Sequence, residues 1–167
     1  LENVFKIKAA ALAVYPMYKG LASLAGMQLI HGLGTFDDQI RALKSEWDAF
    51  DFFFMHYKYT DSRGEDGDFD AKVKEIEKVD QAIPQILELN PDVLVVTGDH
   101  STPAVLKSHS WHPVPVLLWA PGVMRANPGV TAFGESECLK GALGHFRAAE
   151  LMGLIMAYGK RQAKYGA

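Results

Sequence analysis

Residues 93–103 read Val93-Leu-Val-Val-Thr97-Gly-Asp99-His100-Ser-Thr-Pro103. The apolar and β-branched run has none of the alternation of a half-exposed strand, so it reads as a buried one. It stops at Gly98 and presents a carboxylate beside an imidazole. On an irregular turn, neighbouring side chains need not point to opposite faces, and Asp99 and His100 can reach one ion together. Carboxylate with imidazole suits Zn, Mn or a similar first-row metal. The plainer alternative is that Asp99 caps a turn and His100 is an ordinary polar residue.

The same kind of strand recurs upstream. Lys8 to Val14 is Ala-rich, apolar and ended by Pro16. Met17 to Ala25 reads as a helix with Gly26 where a C-terminal cap belongs. Met27 to Ile30 is a second short strand, and His31-Gly-Leu-Gly-Thr35 is a loop. Asp37 and Asp38 precede a helical stretch to about Ala49, with Ile40, Leu43 and Trp47 on one face. Phe50 to Tyr57 reads as a central strand, and Lys58 to Asp68 as a polar loop. The longest helix runs from Phe69 to about Leu89. Its apolar stripe is Val73, Ile76, Val79, Ile83 and Leu87, Asp68 suits its N-cap, and Pro84 is a candidate kink. Downstream of the opening stretch, Pro113 to Ala120 is a further strand, and Ala142 to Tyr158 a helix. Apolar strands alternating with helices predict a three-layer α/β/α fold around a largely parallel sheet. In such sheets functional groups gather beyond the strand C-termini, and the polar clusters of this chain fall there.

Composition narrows the function. The chain has 167 residues, 49% of them hydrophobic, enough for one sizeable core. Its formal net charge of -3 gives no electrostatic footprint for nucleic acid. No apolar run reaches membrane-spanning length. The lone Cys138 cannot form an internal disulfide, which fits a reducing, cytoplasmic setting. With no base evident beside it, Cys138 reads as an incidental thiol. The start, Leu1-Glu-Asn-Val-Phe-Lys6, lacks Met and a signal-peptide layout, and reads as a cut inside a longer protein.

Two more clusters accompany Asp99 and His100. Thr60-Asp-Ser-Arg-Gly-Glu-Asp-Gly-Asp68 places four carboxylates straight after a strand. Such packing costs repulsion unless a cation compensates; the alternative is a solvated acidic loop that caps the next helix. Ser108-His-Ser-Trp-His-Pro-Val-Pro115 leads two His into a strand, with His112 the better candidate for a plain turn residue. No P-loop, dinucleotide fingerprint or nucleophile elbow is present.

Taken in order, these clusters resemble the C-terminal part of the cofactor-independent (2,3-bisphosphoglycerate-independent) phosphoglycerate mutases of the archaeal type, in the alkaline phosphatase superfamily. The resemblance runs from Lys8-Ala-Ala-Ala11 and Tyr18-Lys-Gly20 through the loop of residues 32–38 and the 61–68 segment. It continues through Thr97-Gly-Asp-His-Ser-Thr-Pro103, His109-Ser-x-x-Pro-Val-Pro115 and Lys140-Gly-Ala-Leu-Gly144, to Lys164-Tyr-Gly-Ala167, which looks like a natural terminus.

The resemblance implies an alkaline phosphatase-like fold, here a partial domain, and two divalent ions, Mn or Mg. One ion would be held by Asp61, Glu65 and His109, and the other by Asp99 and His100. Lys19 would contact the phosphoryl group. The family pattern has His where this chain has Glu65; a carboxylate is a harder ligand and favours Mn or Mg over Zn, and Asp66 stands beside it as a substitute. The family's nucleophilic Ser, its first Asp ligand and its inserted substrate domain have no counterpart here, and Ser101 does not match the nucleophile. The implied activity is interconversion of 3- and 2-phosphoglycerate through a phosphoserine intermediate in a longer enzyme, this chain alone being inactive. A related phosphatase or phosphotransferase, or an inactive binding relative, are the alternatives. A partial sheet should expose apolar edges and favour self-association.

Overall fold

The chain's structure is a computed structural model and describes residues 1–123 and 129–162. The terminal segment Lys164 to Ala167 that entered the resemblance lies outside the described residues. A one-turn helix α1 (Glu2–Phe5) leads into β1 (Ala9–Ala13), α2 (Pro16–Leu24), β2 (Gln28–Leu29), α3 (Phe36–Glu46) and β3 (Phe52–His56). These strands form a parallel sheet in the order β2-β1-β3, with Ala11 opposite both Leu29 and Phe54. All five residues of β1 are buried. Helix α2 ends as the sequence predicts. Gly26, at φ 78°, donates to Ser23 O, and Met27 N–H reaches Ala22 O at 2.9 Å. That is a Schellman closure, which glycine adopts without strain.

Thr35 caps α3, its Oγ1 accepting from Asp38 N–H while its own N–H donates to Asp38 Oδ2. From α3, the buried Gln39 donates through Nε2 to Leu12 O at 2.6 Å and His56 O at 2.8 Å. It thereby ties together the C-terminal ends of β1 and β3. Replacing Gln39 with Leu removes the donor from both carbonyls at once. It is expected to cost about 2 kcal/mol of stability, read from the urea midpoint.

The predicted polar loop of residues 58–68 is instead a helix, α4 (Tyr59–Asp66). Gly64 and the four acids of residues 60–68 resemble loop chemistry. Yet Lys58–Asp61 and Arg63–Asp66 pairs three residues apart support a helix, and Gly67 at φ 75° closes it. Asp68 then caps α5 (Phe69–Leu87), accepting from Ala71 N–H at 2.9 Å. The predicted apolar stripe of α5 is shifted. Ala82, Val79 and Ile86 pack with Phe36, Ile40, Met55 and Tyr57, while Ile76 is half exposed. Helix α5 continues through Pro84.

Strands β4 (Leu94–Thr97) and β5 (Val116–Trp119) pair antiparallel, with Val95 opposite Leu118. The parallel expectation therefore holds for β1, β2 and β3 and not for this pair. No helix crosses over between β4 and β5. The connection folds back on itself, Ser110 N–H donating to Ser101 O at 2.9 Å, so the chain returns antiparallel. A short helix α6 (Glu135–Cys138) follows. The predicted helix from Ala142 is confined to α7 (Leu151–Tyr158), after a 3₁₀ turn at Ala148–Glu150. Gly144, at φ 63°, stands in the stretch that fails to be helical. None of the described helices is long and apolar enough to cross a membrane. Leu24, Val105, Trp111 and Leu139 are largely exposed.

Candidate metal centre

Strand β3 and helix α4 deliver the first half of the site. Asp61 and Glu65 sit four residues apart and so share one face of α4. The turn after β4 and the loop before β5 deliver the second half: Asp99, His100 and His109. The two halves meet. His109 Nε2 lies 3.6 Å from Asp61 Oδ1 and 3.6 Å from Glu65 Oε1. His100 Nδ1 lies 3.8 Å from Asp61 Oδ1, and His100 Nε2 lies 3.6 Å from Asp99 Oδ2. The two imidazoles stack with centroids 3.7 Å apart. Donor atoms of Asp61, His100 and His109 all fall within 4.8 Å of one another. Ligands about 2.1 Å from one ion would lie roughly 3 to 3.5 Å apart. The His109–Asp61 and His109–Glu65 separations, both 3.6 Å, are a few tenths of an ångström from that spacing.

Thr102 determines how the imidazoles are used. It is buried, and its hydroxyl donates to Asp61 Oδ1. Its oxygen then accepts from His100 Nδ1 at 3.0 Å. That assigns the proton to Nδ1 and leaves the Nε2 lone pair facing Asp99. His100 therefore turns Nε2 to Asp99, while His109 turns Nε2 to Asp61 and Glu65.

Charge and burial oppose each other at the carboxylates. Burial pushes the Asp61 pKa up, but the Lys58 ammonium and the Thr102 hydroxyl outweigh it, and the net shift is downward. Asp99 is likewise pushed up by burial and held lower overall, chiefly by the hydroxyl of Tyr18, which donates to it. Burial, reinforced by that bond, raises the Tyr18 pKa. The Tyr18 ring rests on His56 at a 3.5 Å centroid distance, and burial lowers the His56 pKa so that the ring is neutral near pH 7. Bonding to Asp61 raises the Lys58 pKa. Both acids are therefore ionised at neutral pH, as ligation demands.

The remaining sequence candidates stand apart. Asp66 pairs with Arg63 at 3.2 Å. His112 Nδ1 meets Ser110 Oγ at 2.8 Å in its turn. Lys19 lies in the first turn of α2, half-buried, next to Tyr18. Its ammonium is in none of the ion pairs among the described residues. Cys138 is half-buried, its Sγ 4.0 Å from Val116 O. Sequence reasoning missed Lys58, Thr102, Tyr18 and His56. A Lys three residues before an Asp at a helix start was the one available signal. A pocket of about 280 Å³ beside the group is lined in part by Tyr15, His56, Lys58, Tyr59 and Ser62.

The sequence pattern of the Metalloenzyme superfamily matches residues 2–158. The chain belongs to the metalloenzyme superfamily. Membership in this superfamily implies binding of a divalent metal. Curated relatives include a probable 2,3-bisphosphoglycerate-independent phosphoglycerate mutase of Thermotoga neapolitana. It is 54% identical over 166 residues, covering 99% of this chain and 41% of the relative. Its Thermus thermophilus counterpart is 51% identical over 170 residues, covering 100% and 41%. The chain thus spans about two fifths of the length of these relatives. A solved Pyrococcus horikoshii protein superposes with a TM-score of 0.90 at 31% identity, over 99% of this chain and 53% of that one. A cofactor-independent phosphoglycerate mutase from Thermoplasma acidophilum shares the fold, with a TM-score of 0.74 at 24% identity, over 95% and 38%.

Proposed function

We propose that this chain is the metal-holding part of a cofactor-independent phosphoglycerate mutase, a longer cytoplasmic enzyme that interconverts 3- and 2-phosphoglycerate. The observation that carries this reading is the meeting of Asp61 and Glu65 from α4 with His109 from the β4–β5 loop, with the Asp99–His100 pair alongside. The two groups fit two divalent ions, and the oxygen-rich first group favours Mn or Mg. Bound there, the ions would supply positive charge to the oxygens of a transferring phosphoryl group.

The chain's own side chains would set up that chemistry. Thr102 orients Asp61 and fixes the His100 proton on Nδ1. Tyr18 steadies the Asp99 carboxylate, and His56 supports the Tyr18 ring. Lys19, one residue along α2, is proposed as the phosphate contact of the intact enzyme. The nucleophilic hydroxyl and the groups that recognise glycerate belong to the rest of that enzyme.

Calorimetric titration with Mn tests this on the chain itself, wild type beside Asp99→Ala and His109→Ala. Saturable binding that each variant weakens at least about tenfold is expected. Binding by wild type that neither variant changes would refute the ligand assignment. The mutase assay on the full-length enzyme then separates phosphate transfer between the two glycerate hydroxyls from simple release of phosphate.

A further inference from the structure

The two carboxylates of α4 do not use their oxygens alike. Asp61 turns Oδ1 toward His100, His109 and Thr102, and Glu65 turns Oε1 toward His109. The other oxygen of each faces one cation. Lys58 Nζ bonds Asp61 Oδ2 and lies 3.6 Å from Glu65 Oε2. Lys58 is itself held in place. It is the N-cap residue of α4, its carbonyl accepting from the N–H groups of Asp61 and Ser62, and its ammonium stands 5.4 Å from the Tyr15 ring centre. The anchor of the clamp and the carboxylates it holds therefore belong to one helix, within two turns of its start.

From this geometry, and resting on the metal reading above, we propose that Lys58 is the residue that sets ion selectivity at the Asp61–Glu65–His109 group. Its ammonium occupies one oxygen of each carboxylate and leaves one to the ion, so both are held monodentate. Compact ions with short, directional bonds, Mn and Mg, are satisfied by single carboxylate oxygens. Ca is larger, takes more oxygens and gains from bidentate carboxylates. Three donors with the second oxygens clamped away are a poor Ca site. Hydrogen bonds that orient ligands from outside the coordination sphere commonly matter this much.

Lys58 has a second effect that must be separated from the first. A positive charge near the site repels every divalent cation, and removing it strengthens binding of all of them alike. The ratio of Mn to Ca affinity cancels that shared effect and retains the geometric one. Mn and Ca titrations by calorimetry on the chain, wild type beside Lys58→Met and Lys58→Arg, therefore decide the matter.

The Met variant is expected to lower the Mn-to-Ca affinity ratio about tenfold, whichever way the individual affinities move. The Arg variant, which keeps both charge and donors, is expected to stay near the wild-type ratio. Lys58→Gln, whose amide can hold one carboxylate but not both, gives an intermediate ratio and replaces Met if that variant does not fold by circular dichroism. Equal changes in Mn and Ca affinity would show Lys58 to be a repelling charge only and overturn the proposal. A wild-type chain that binds neither ion saturably would overturn the metal reading and this inference together.

Discussion

Asp61→Asn is expected to weaken Mn binding by on the order of 100-fold or more, the largest loss of any single change in the site. Asp61 is the hub. Lys58, Thr102, His100 and His109 all converge on its carboxylate, and among the described residues no other side chain joins α4 to both imidazoles. The amide keeps the shape but removes the charge, and it turns an N–H₂ donor toward groups that need an acceptor. Lys58 is left with Glu65 as its sole counter-charge in the site, 3.6 Å away. Circular dichroism of the variant should remain that of a folded chain, because Asp61 lies in the first turn of α4 and not in the core around Phe36, Ile40 and Ala82. Calorimetry against wild type reads the effect. Unchanged Mn affinity would mean that the ion sits elsewhere.

Gly64→Ala is expected to destabilise the fold by roughly 2 to 3 kcal/mol, read from urea unfolding. A helical Gly replaced by Ala ordinarily gains about 1 kcal/mol, so the sign of the result is itself decisive. Gly64 is buried in α4, and a Cβ there would stand 2.2 Å from Thr102 O and 2.9 Å from Thr102 Cγ2. The Lys72 ammonium, 3.1 Å away, is fixed by its bond to Thr60 O at 2.7 Å and cannot swing aside freely. The backbone after His100 must retreat, and His100 and Thr102 retreat with it. A methyl group with no ligand function therefore also weakens Mn binding, by moving one half of the site off the other.

How far the sequence showed this site depends on the kind of residue. β1, α2, β2, β3 and α5 were legible because their signals are local: apolar runs of strand length, Pro16 and Gly26 as punctuation, Asp68 ahead of a periodic stretch. The gathering of Asp61, Glu65, Asp99, His100 and His109 was legible only as an order of motifs, through the resemblance. Nothing in the spacing states that α4 lies against the β4–β5 loop.

The errors have physical causes. Gly64 suggested a loop because its reason for being small, the close approach of Thr102, lies far along the chain. The antiparallel return of β5 depends on the Ser101–Ser110 bridge, which leaves no sequence mark. Leu143 and Phe146 give the apolar spacing of a helix from Ala142, but Gly144 in the left-handed region interrupts it. Thr102, Tyr18 and Lys58 went unnoticed because a residue that holds a ligand has no fixed position relative to it.

The placement of the candidate ligands on two distant segments has a further consequence. An ion gripped by Asp61 and His109 would join α4 to the β4–β5 loop as a removable crosslink, closing off the stretch of chain that contains all of α5 and β4. Like any tether, it would stabilise mainly by restricting the unfolded chain, and its effect would grow with the logarithm of ion concentration. A chelator would cut it without breaking a covalent bond. Val105 and Leu106, exposed on that loop, would then be the first place for a protease to enter, and the ion would govern how long the protein survives as well as its chemistry.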